Sequence, residues 1–516
     1  MLDTVLNWVL RGVVLALAAG ASVALLRLAR RIWGERRERW AVRIALGMIL
    51  LAGVYTAGHA RLLLQREKLE EGRMMYSRFG DPRLTELRRA EVRGWILDCS
   101  GRDADALARY GVRNGEVDRI YPLGEAGANL VGGGRDTVPR DYTVERLFSE
   151  QLREPVSLAE AGQLHPAGTD LRLTLCAAPT RAAWELLRAT GRPGTVIVQE
   201  VRTGAVVAYA ATGNAQDPPL GIKQYAPPGS VFKLALAALW WEGGLGDPLI
   251  PCPSTIQITP RASISNFEMR ARGVVEGPTG VLIPSCNTGA VWMAQQARQR
   301  LGEQAFVEAY RRFGFEPYTR GSPPTDTVRD FWSTSSDAWA RRMSPPVSRI
   351  RIHERTGVAE WAQLSIGQGP VDVTPIAVSR FVQAIGNGGV MLPPTLEWER
   401  AQDVPEGRRV MSAETSRKLQ VAMLRVVDEG TAASAAPLLE GTGWEMGGKT
   451  GTAQLPGKPD DGWFAGLIYG PDRRPRYTVV VYLRGGGPGG RAPAAVAAGM
   501  TRVLARMSAA AAGGRG

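Results

Sequence analysis

Pro227-Pro228-Gly229-Ser230-Val231-Phe232-Lys233 opens onto Leu234–Trp241, a run with no polar residue. Two prolines and a glycine before a serine, followed by an apolar helical stretch, place Ser230 at a helix N-terminus. Lys233 comes one turn later on the same face. A serine hydroxyl becomes a nucleophile once a base takes its proton, and a lysine amine partly withdrawn from water can be that base. Alone, Ser-x-x-Lys is a weak signal that also describes a capped helix with a solvent-facing lysine.

Two further fragments lie downstream. Pro284-Ser-Cys-Asn-Thr-Gly289 contains Ser285-x-Asn287, and Gly447-Gly-Lys-Thr-Gly-Thr452 contains Lys449-Thr450-Gly451. Separately they read as a turn and as a polar strand end. Together, in this order and in these contexts, they form the Ser-x-x-Lys, Ser-x-Asn, Lys-Thr-Gly trio of a serine acyl-transfer site. Lysine usage supports this independently. Only six of the 63 Lys and Arg residues are lysine, and two of those, Lys233 and Lys449, fall in the trio. Arginine does not deprotonate, so a base at position 233 has to be lysine. At position 449 arginine could also hold an anion.

Composition narrows the chemistry further. The only histidines are His59, His165 and His353, which excludes a His-Glu-x-x-His metal site and reads as one membrane-end and two surface residues. Four cysteines without a Cys-x-x-Cys pair exclude a zinc ribbon, a thioredoxin-type motif and a disulfide scaffold. The sequence calls for no metal and no cofactor.

The chain has 516 residues, 44% hydrophobic, with a net charge of +13. That charge does not point to nucleic acid, because seven arginines crowd into residues 27–43 between the apolar runs Gly12–Leu26 and Ile44–Ala60. A basic cluster between apolar runs is the pattern of a cytoplasmic loop. Residues 1–60 are therefore expected to be a membrane anchor, a helical hairpin with its Arg-rich loop inside, with everything after it extracytoplasmic. Ile44–Ala60 is near the lower length limit for a span, and Arg11 interrupts the first run.

Residues 61–168 read as a stalk and a small β-rich pedestal, 169–507 as the main domain, and 508–516 as a flexible Ala/Gly tail. Within the main domain, strands are expected at Leu171–Leu175, Thr195–Gln199, Ala205–Tyr209, Trp463–Tyr469 and Tyr477–Leu483, with a further strand leading through Lys449. Helical patterns fill the middle, broken by a Pro/Ser/Thr-rich loop between Glu316 and Pro346. This is an α/β multidomain chain whose main sheet is assembled from both ends of its sequence.

From about Arg93 to about Arg506 the chain resembles a class B penicillin-binding protein, a monofunctional peptidoglycan D,D-transpeptidase. Beyond the trio, the resemblance includes Arg93-Gly-x-Ile-x-Asp98, Tyr121-Pro-Leu-Gly124 and Gly132 in the pedestal. It also includes Gly367-Gln-Gly369 with Thr374-Pro375, Gly386-Asn-Gly-Gly389, Gly430-Thr431 and Trp463-Phe464. Three positions depart from the family pattern: Cys99 follows Asp98 where Arg is usual, Asn129 stands where His is common, and Cys176 ends a strand where Asp is usual. Cys286 reads as a small core filler, with a bond to Cys252 left open.

The resemblance implies a penicillin-binding/β-lactamase-like domain: a five-stranded antiparallel sheet with helices on both sides, plus an all-helical lobe. It assigns Ser230 as nucleophile, Lys233 as its base, Ser285 as proton relay and Asn287 as a ligand of Lys233 and of the substrate backbone. Lys449, Thr450, Gly451 and Thr452 are implied to bind the substrate carboxylate, with the N–H groups of Ser230 and Thr452 as oxyanion hole. The implied partners are stem peptides ending in D-Ala–D-Ala, β-lactams that mimic them, and a SEDS-type glycan polymerase in the membrane. Rival readings are a D,D-carboxypeptidase, a serine β-lactamase, a penicillin sensor and an inactive scaffold of the division or elongation machinery. A class A β-lactamase needs Glu-x-x-x-Asn, yet the only Asn between Asn287 and Lys449 is Asn387, four residues after Gln383.

Overall fold

The computed structural model describes residues 93–513, except 114–115, 134–142, 150, 154–167, 213–219, 319–346, 354 and 404–405. The expected membrane hairpin, the stalk, His59, His165 and most of the Pro/Ser/Thr-rich loop lie outside the described residues. Among the described residues no helix is long and apolar enough to cross a membrane.

The centre is an antiparallel sheet of β1 (Gly194–Glu200), β2 (Val206–Thr212), β3 (Glu445–Ala453), β4 (Asp461–Tyr469) and β5 (Pro475–Leu483), ordered β3-β4-β5-β1-β2. All five are strands anticipated from the sequence, and β1 does pair with β5 from the far end of the chain. Alternation along each strand explains the layers, since successive side chains point to opposite faces. Val196 and Val198 of β1, with Phe464 and Ile468 of β4, join a core with α1 (Ala177–Ala189) and the C-terminal helix Ala492–Gly513. Ile197, Trp463, Ala465 and Leu467 face the opposite way, into the larger core. That core contains α2 (Lys233–Glu242), α3 (Asn287–Leu301), α4 (Pro375–Gly386) and the inner side of α5 (Ala413–Asp428). Buried on nearly every side, α2 is apolar all round, as Leu234–Trp241 requires.

The structure corrects the sequence in three places. The second lobe is not all-helical, because two small hairpins interrupt it, Leu249–Cys252 with Gly273–Glu276 and Thr255–Thr259 with Ala262–Ser265. The alternating Ile256, Ile258 and Ile264 and the punctuating Pro251, Pro253 and Pro260 favour strands over helix there. The C-terminal helix runs on to Gly513 instead of giving way to a tail at residue 508, because alanine has the highest helix propensity. Finally, the cysteines form two isolated cross-links, Cys99–Cys176 and Cys252–Cys286, and no free thiol remains. Cys286 is thus a bonded residue as well as a buried one.

The three positions that depart from the family pattern all sit where the pedestal joins the main domain. The Cys99–Cys176 bond crosses that join beside the parallel pairing of Ile96 with Leu171. Asp98, 4% exposed, accepts bonds from Ser100 and from the Ala177 N–H that opens α1. Asn129 donates to Ala211 O of β2 at 2.8 Å. The pedestal is itself held by a buried carboxylate, Glu145, between the guanidinium groups of Arg93 and Arg119.

Candidate active site

The Pro-Pro-Gly-Ser segment forms a 3-10 turn, Gly229–Phe232, that runs directly into α2. Ser230 lies in that turn and Lys233 is the first residue of α2, as the spacing anticipated. Two glycines let the turn sit against β3. Gly229 has φ +54, and a Cβ there would stand 2.5 Å from Thr452 O; a Cβ on Gly451 would stand 2.6 Å from Pro228 O. From the other side, Gly229 N–H donates to Gly367 O at 2.9 Å. The turn bearing Ser230 is thus wedged between the Lys-Thr-Gly strand and the Gly367-Gln-Gly369 loop.

Ser285 and Asn287 arrive from the lobe, at the start of α3. Ser285 adopts φ +56, a region L-residues seldom occupy and one found at functional sites. Asn266 holds this turn: its Oδ1 accepts the N–H groups of Asn287 and Thr288 at 2.8 and 3.2 Å. Asn287 Nδ2 donates to Ser265 O at 2.8 Å. The Cys252–Cys286 bond ties down the residue between Ser285 and Asn287. Neither Ser265 nor Asn266 was legible in the sequence, where a lone Asn in a polar hairpin carries no signal.

Lys233 Nζ donates to Asn287 Oδ1 at 2.7 Å and to Ser285 O at 2.8 Å, and lies 3.3 Å from Ser285 Oγ. Lys449, on β3, donates to Ser285 Oγ at 2.8 Å and to Thr450 O at 3.0 Å. Thr450 Oγ1 meets Thr431 Oγ1 at 2.6 Å. The structure therefore brings Lys233, Ser285, Asn287, Lys449 and Thr450 into one connected cluster, with Ser230, Gly451 and Thr452 along its border. β3 is an edge strand, so alternate backbone groups point away from β4 towards the site.

Both lysines are almost wholly buried, 1% and 0% exposed, and these partners are neutral oxygens. Desolvation without an anionic partner disfavours the charged form. Burial, reinforced by the positive charge of Lys449, holds the Lys233 amine well below the usual lysine range. Burial alone brings Lys449 down to about 7. A neutral Lys233 can give two hydrogens to Ser285 O and Asn287 Oδ1 and keep its lone pair for a proton from outside. Chemically, the cluster can deprotonate a nearby hydroxyl, shuttle a proton through Ser285 and present a cation to an arriving carboxylate. Among the described residues no cluster of His, Cys, Asp and Glu could hold a metal ion.

The fold is thus a five-stranded antiparallel sheet between helical layers, with the turn that carries Ser230 and Lys233 set against its edge strand. Residues 194–502 match the penicillin binding protein transpeptidase domain, and the chain belongs to that family. The chain is 27% identical over 328 residues to penicillin-binding protein PbpB of Mycolicibacterium smegmatis, covering 56% of this chain and 45% of that protein. It is 23% identical over 409 residues to the probable peptidoglycan D,D-transpeptidase PenA of Neisseria gonorrhoeae, covering 71% of this chain and 64% of PenA. The chain thus spans less than half the length of PbpB. Among solved structures, the D,D-transpeptidase domain of a peptidoglycan glycosyltransferase from Eggerthella lenta shares the fold with a TM-score of 0.64 at 22% identity, covering 81% of this chain and 99% of that one. PBPA from Mycobacterium tuberculosis does so with a TM-score of 0.62 at 20% identity, covering 81% and 99%.

Proposed function

We propose that this protein is a peptidoglycan D,D-transpeptidase that cross-links stem peptides through an acyl-enzyme on Ser230. The observation that carries this reading is the pair of buried lysines meeting at Ser285 Oγ beside the Ser230 turn. Lys233 takes the Ser230 proton as Oγ attacks the carbonyl of the penultimate D-Ala. The N–H groups of Ser230 and Thr452 receive the oxyanion, and donors placed where charge develops lower the barrier most. Ser285 passes the proton to the departing D-Ala amine, while Lys449, Thr450 and Thr452 hold its carboxylate. Asn287 orients Lys233 and binds the donor backbone. An amine on a neighbouring strand then takes the acyl group, and Ser230 regains its proton. β-Lactams, which mimic D-Ala–D-Ala, would arrest the sequence at the acyl-enzyme.

The β-lactamase alternative is disfavoured by Gln383, whose side chain is already engaged: Nε2 donates to Val201 O at 2.7 Å and Oε1 accepts from Leu392 N–H at 2.9 Å. No water-activating carboxylate stands at that position. The membrane-anchored, extracytoplasmic placement is supported by the Arg-rich segment 27–43 between apolar runs and by two disulfides, which persist in oxidising compartments. A SEDS-type polymerase as partner rests on the family resemblance of the pedestal.

The test is labelling of the membrane-bound protein with a fluorescent penicillin, wild type against Ser230→Ala. Label that persists for hours in wild type and is missing from the variant supports the reading. Rapid loss of label would point to a β-lactamase, and release of D-Ala without transfer to an amine would point to a carboxypeptidase.

A further inference from the structure

Just past the C-terminal end of β3 lies a cleft of about 550 Å³ that the chemistry above does not use. Its walls come from three places: the segment ahead of the nucleophile with Gln224, Tyr225 and Pro227, the β3–β4 turn with Leu455 and Lys458, and the sheet end with Arg192 and Arg484. Asp461, on its wall, pairs with Ala453, the neighbour of Thr452. Pro227 is three residues from Ser230, so chain geometry keeps it within about 11 Å of the nucleophile.

The cleft is cationic. Arg192, Lys458 and Arg484 line it against one carboxylate, and that carboxylate is already committed. Asp461 is 2% exposed; its Oδ2 accepts from the Tyr482 hydroxyl at 2.7 Å and its Oδ1 from Gly485 N–H at 2.8 Å. Arg484 Nη2 donates to Gln224 Oε1 at 2.6 Å, which engages one of the five N–H donors a guanidinium carries. Arg192 approaches the same corner, its Nη1 3.8 Å from where a Gly485 Cβ would be. Tyr225 forms the remaining wall, with the Arg349 guanidinium stacked 4.0 Å from its ring centroid; Asp372 is paired with Arg349 across the strands behind it.

The direction of the bound donor connects this cleft to the reaction, and the argument rests on the transpeptidase reading above. With the terminal carboxylate at Thr450 and the scissile carbonyl at the Thr452 N–H, the stem peptide upstream of the scissile bond continues past Ala453 towards the cleft. We propose that the cleft is an anion subsite that takes a free carboxylate carried by the acyl-donor stem peptide upstream of its D-Ala–D-Ala end. The site would then select donors by the ionisation of a residue remote from the bond that is broken.

The test compares two synthetic peptides ending in D-Ala–D-Ala that differ only in whether one upstream carboxylate is free or a carboxamide. D-Ala release is followed in a single turnover of the full chain without an acceptor amine. Wild type is expected to release D-Ala from the free acid about tenfold faster, the scale of one hydrogen bond to a charged group. The preference should fall below about twofold in Arg192→Gln/Lys458→Gln and invert in Arg192→Glu/Lys458→Glu. Each variant's ratio is internal, so partial loss of folded protein does not alter it. Equal rates in wild type, or a preference kept by the double glutamine variant, would overturn the proposal. So would a preference that appears only once an acceptor amine is supplied, since the carboxylate would then belong to the acceptor. Wild type labelled by penicillin at Ser230 but indifferent to the carboxylate removes the subsite alone. Failure of that labelling together with absent D-Ala release removes the transpeptidase reading with it.

Discussion

Lys233 and Lys449 stand on either side of one hydroxyl: Ser285 Oγ is 3.3 Å from the first amine and 2.8 Å from the second. One lysine opens a helix and the other lies on the edge strand, and both are buried without an anion. Two ammonium groups in that position repel each other and lose their hydration. Burial and the neighbouring amine favour a neutral Lys233, the form the proposed base requires, and leave the charge to Lys449, the proposed carboxylate ligand.

Lys233→Arg should therefore abolish acylation and also lower stability, because a guanidinium stays charged in a buried place that has no anion. Arginine retains donors for Ser285 O and Asn287 Oδ1 but does not give up its proton. A loss of about 10²–10⁴ in the rate of penicillin acylation is expected, the range for removing a general base. Stopped-flow acylation below the variant's own unfolding temperature measures it; an active arginine variant would show that Lys233 is not the base.

The pH profile follows from the same pair. In the proposed mechanism acylation needs Lys233 deprotonated, so the rate should rise as pH climbs through its lowered pKa. It also needs Lys449 protonated, and the pKa of Lys449 is about 7. The rate for a carboxylate-bearing donor should fall again as pH rises through that region, giving a bell. Lys449→Arg keeps its charge throughout and should remove the descending limb. A descending limb unchanged in that variant would assign it to another group.

Gly229→Ala should cost both stability and activity. The residue has φ +54, and its new Cβ would meet Thr452 O at 2.5 Å, a backbone atom that cannot swing aside. A destabilisation of about 1–3 kcal/mol is expected from strain and overpacking. The displaced turn should also lower acylation by about 10²-fold, because misplacement near 1 Å is enough to do so. Denaturant unfolding and penicillin labelling check the two effects separately.

The cysteines give a test that needs no ligand. Thiol titration of the unfolded, unreduced protein should find no free thiol, and peptide mapping should find the pairs 99–176 and 252–286. The bonds close loops of 77 and 34 residues, each worth about 4 kcal/mol on chain-entropy grounds. Cys99→Ala/Cys176→Ala should lower the unfolding temperature while leaving Ser230 able to react, since that pair lies at the pedestal join.

By itself the sequence determined the local chemistry. The Pro-Pro-Gly-Ser turn, the apolar helix behind it, the strand leading through Lys449 and the strand ending at Leu483 are set by patterns of a few residues, and they appear where those patterns put them. It also determined which side chains could react, because scarce lysines and histidines left few candidates. Only the tertiary structure decided what those side chains face. The depressed pKa of Lys449 comes from burial, and the support of Ser285 and Asn287 comes from Asn266 and the Cys252–Cys286 bond. The joining of Cys99 to Cys176 and the convergence of Arg192, Lys458 and Arg484 are likewise products of folding. These pairings link residues far apart in the chain, and no local propensity encodes them. They exist because burying both faces of one sheet brings the two ends of the sequence together.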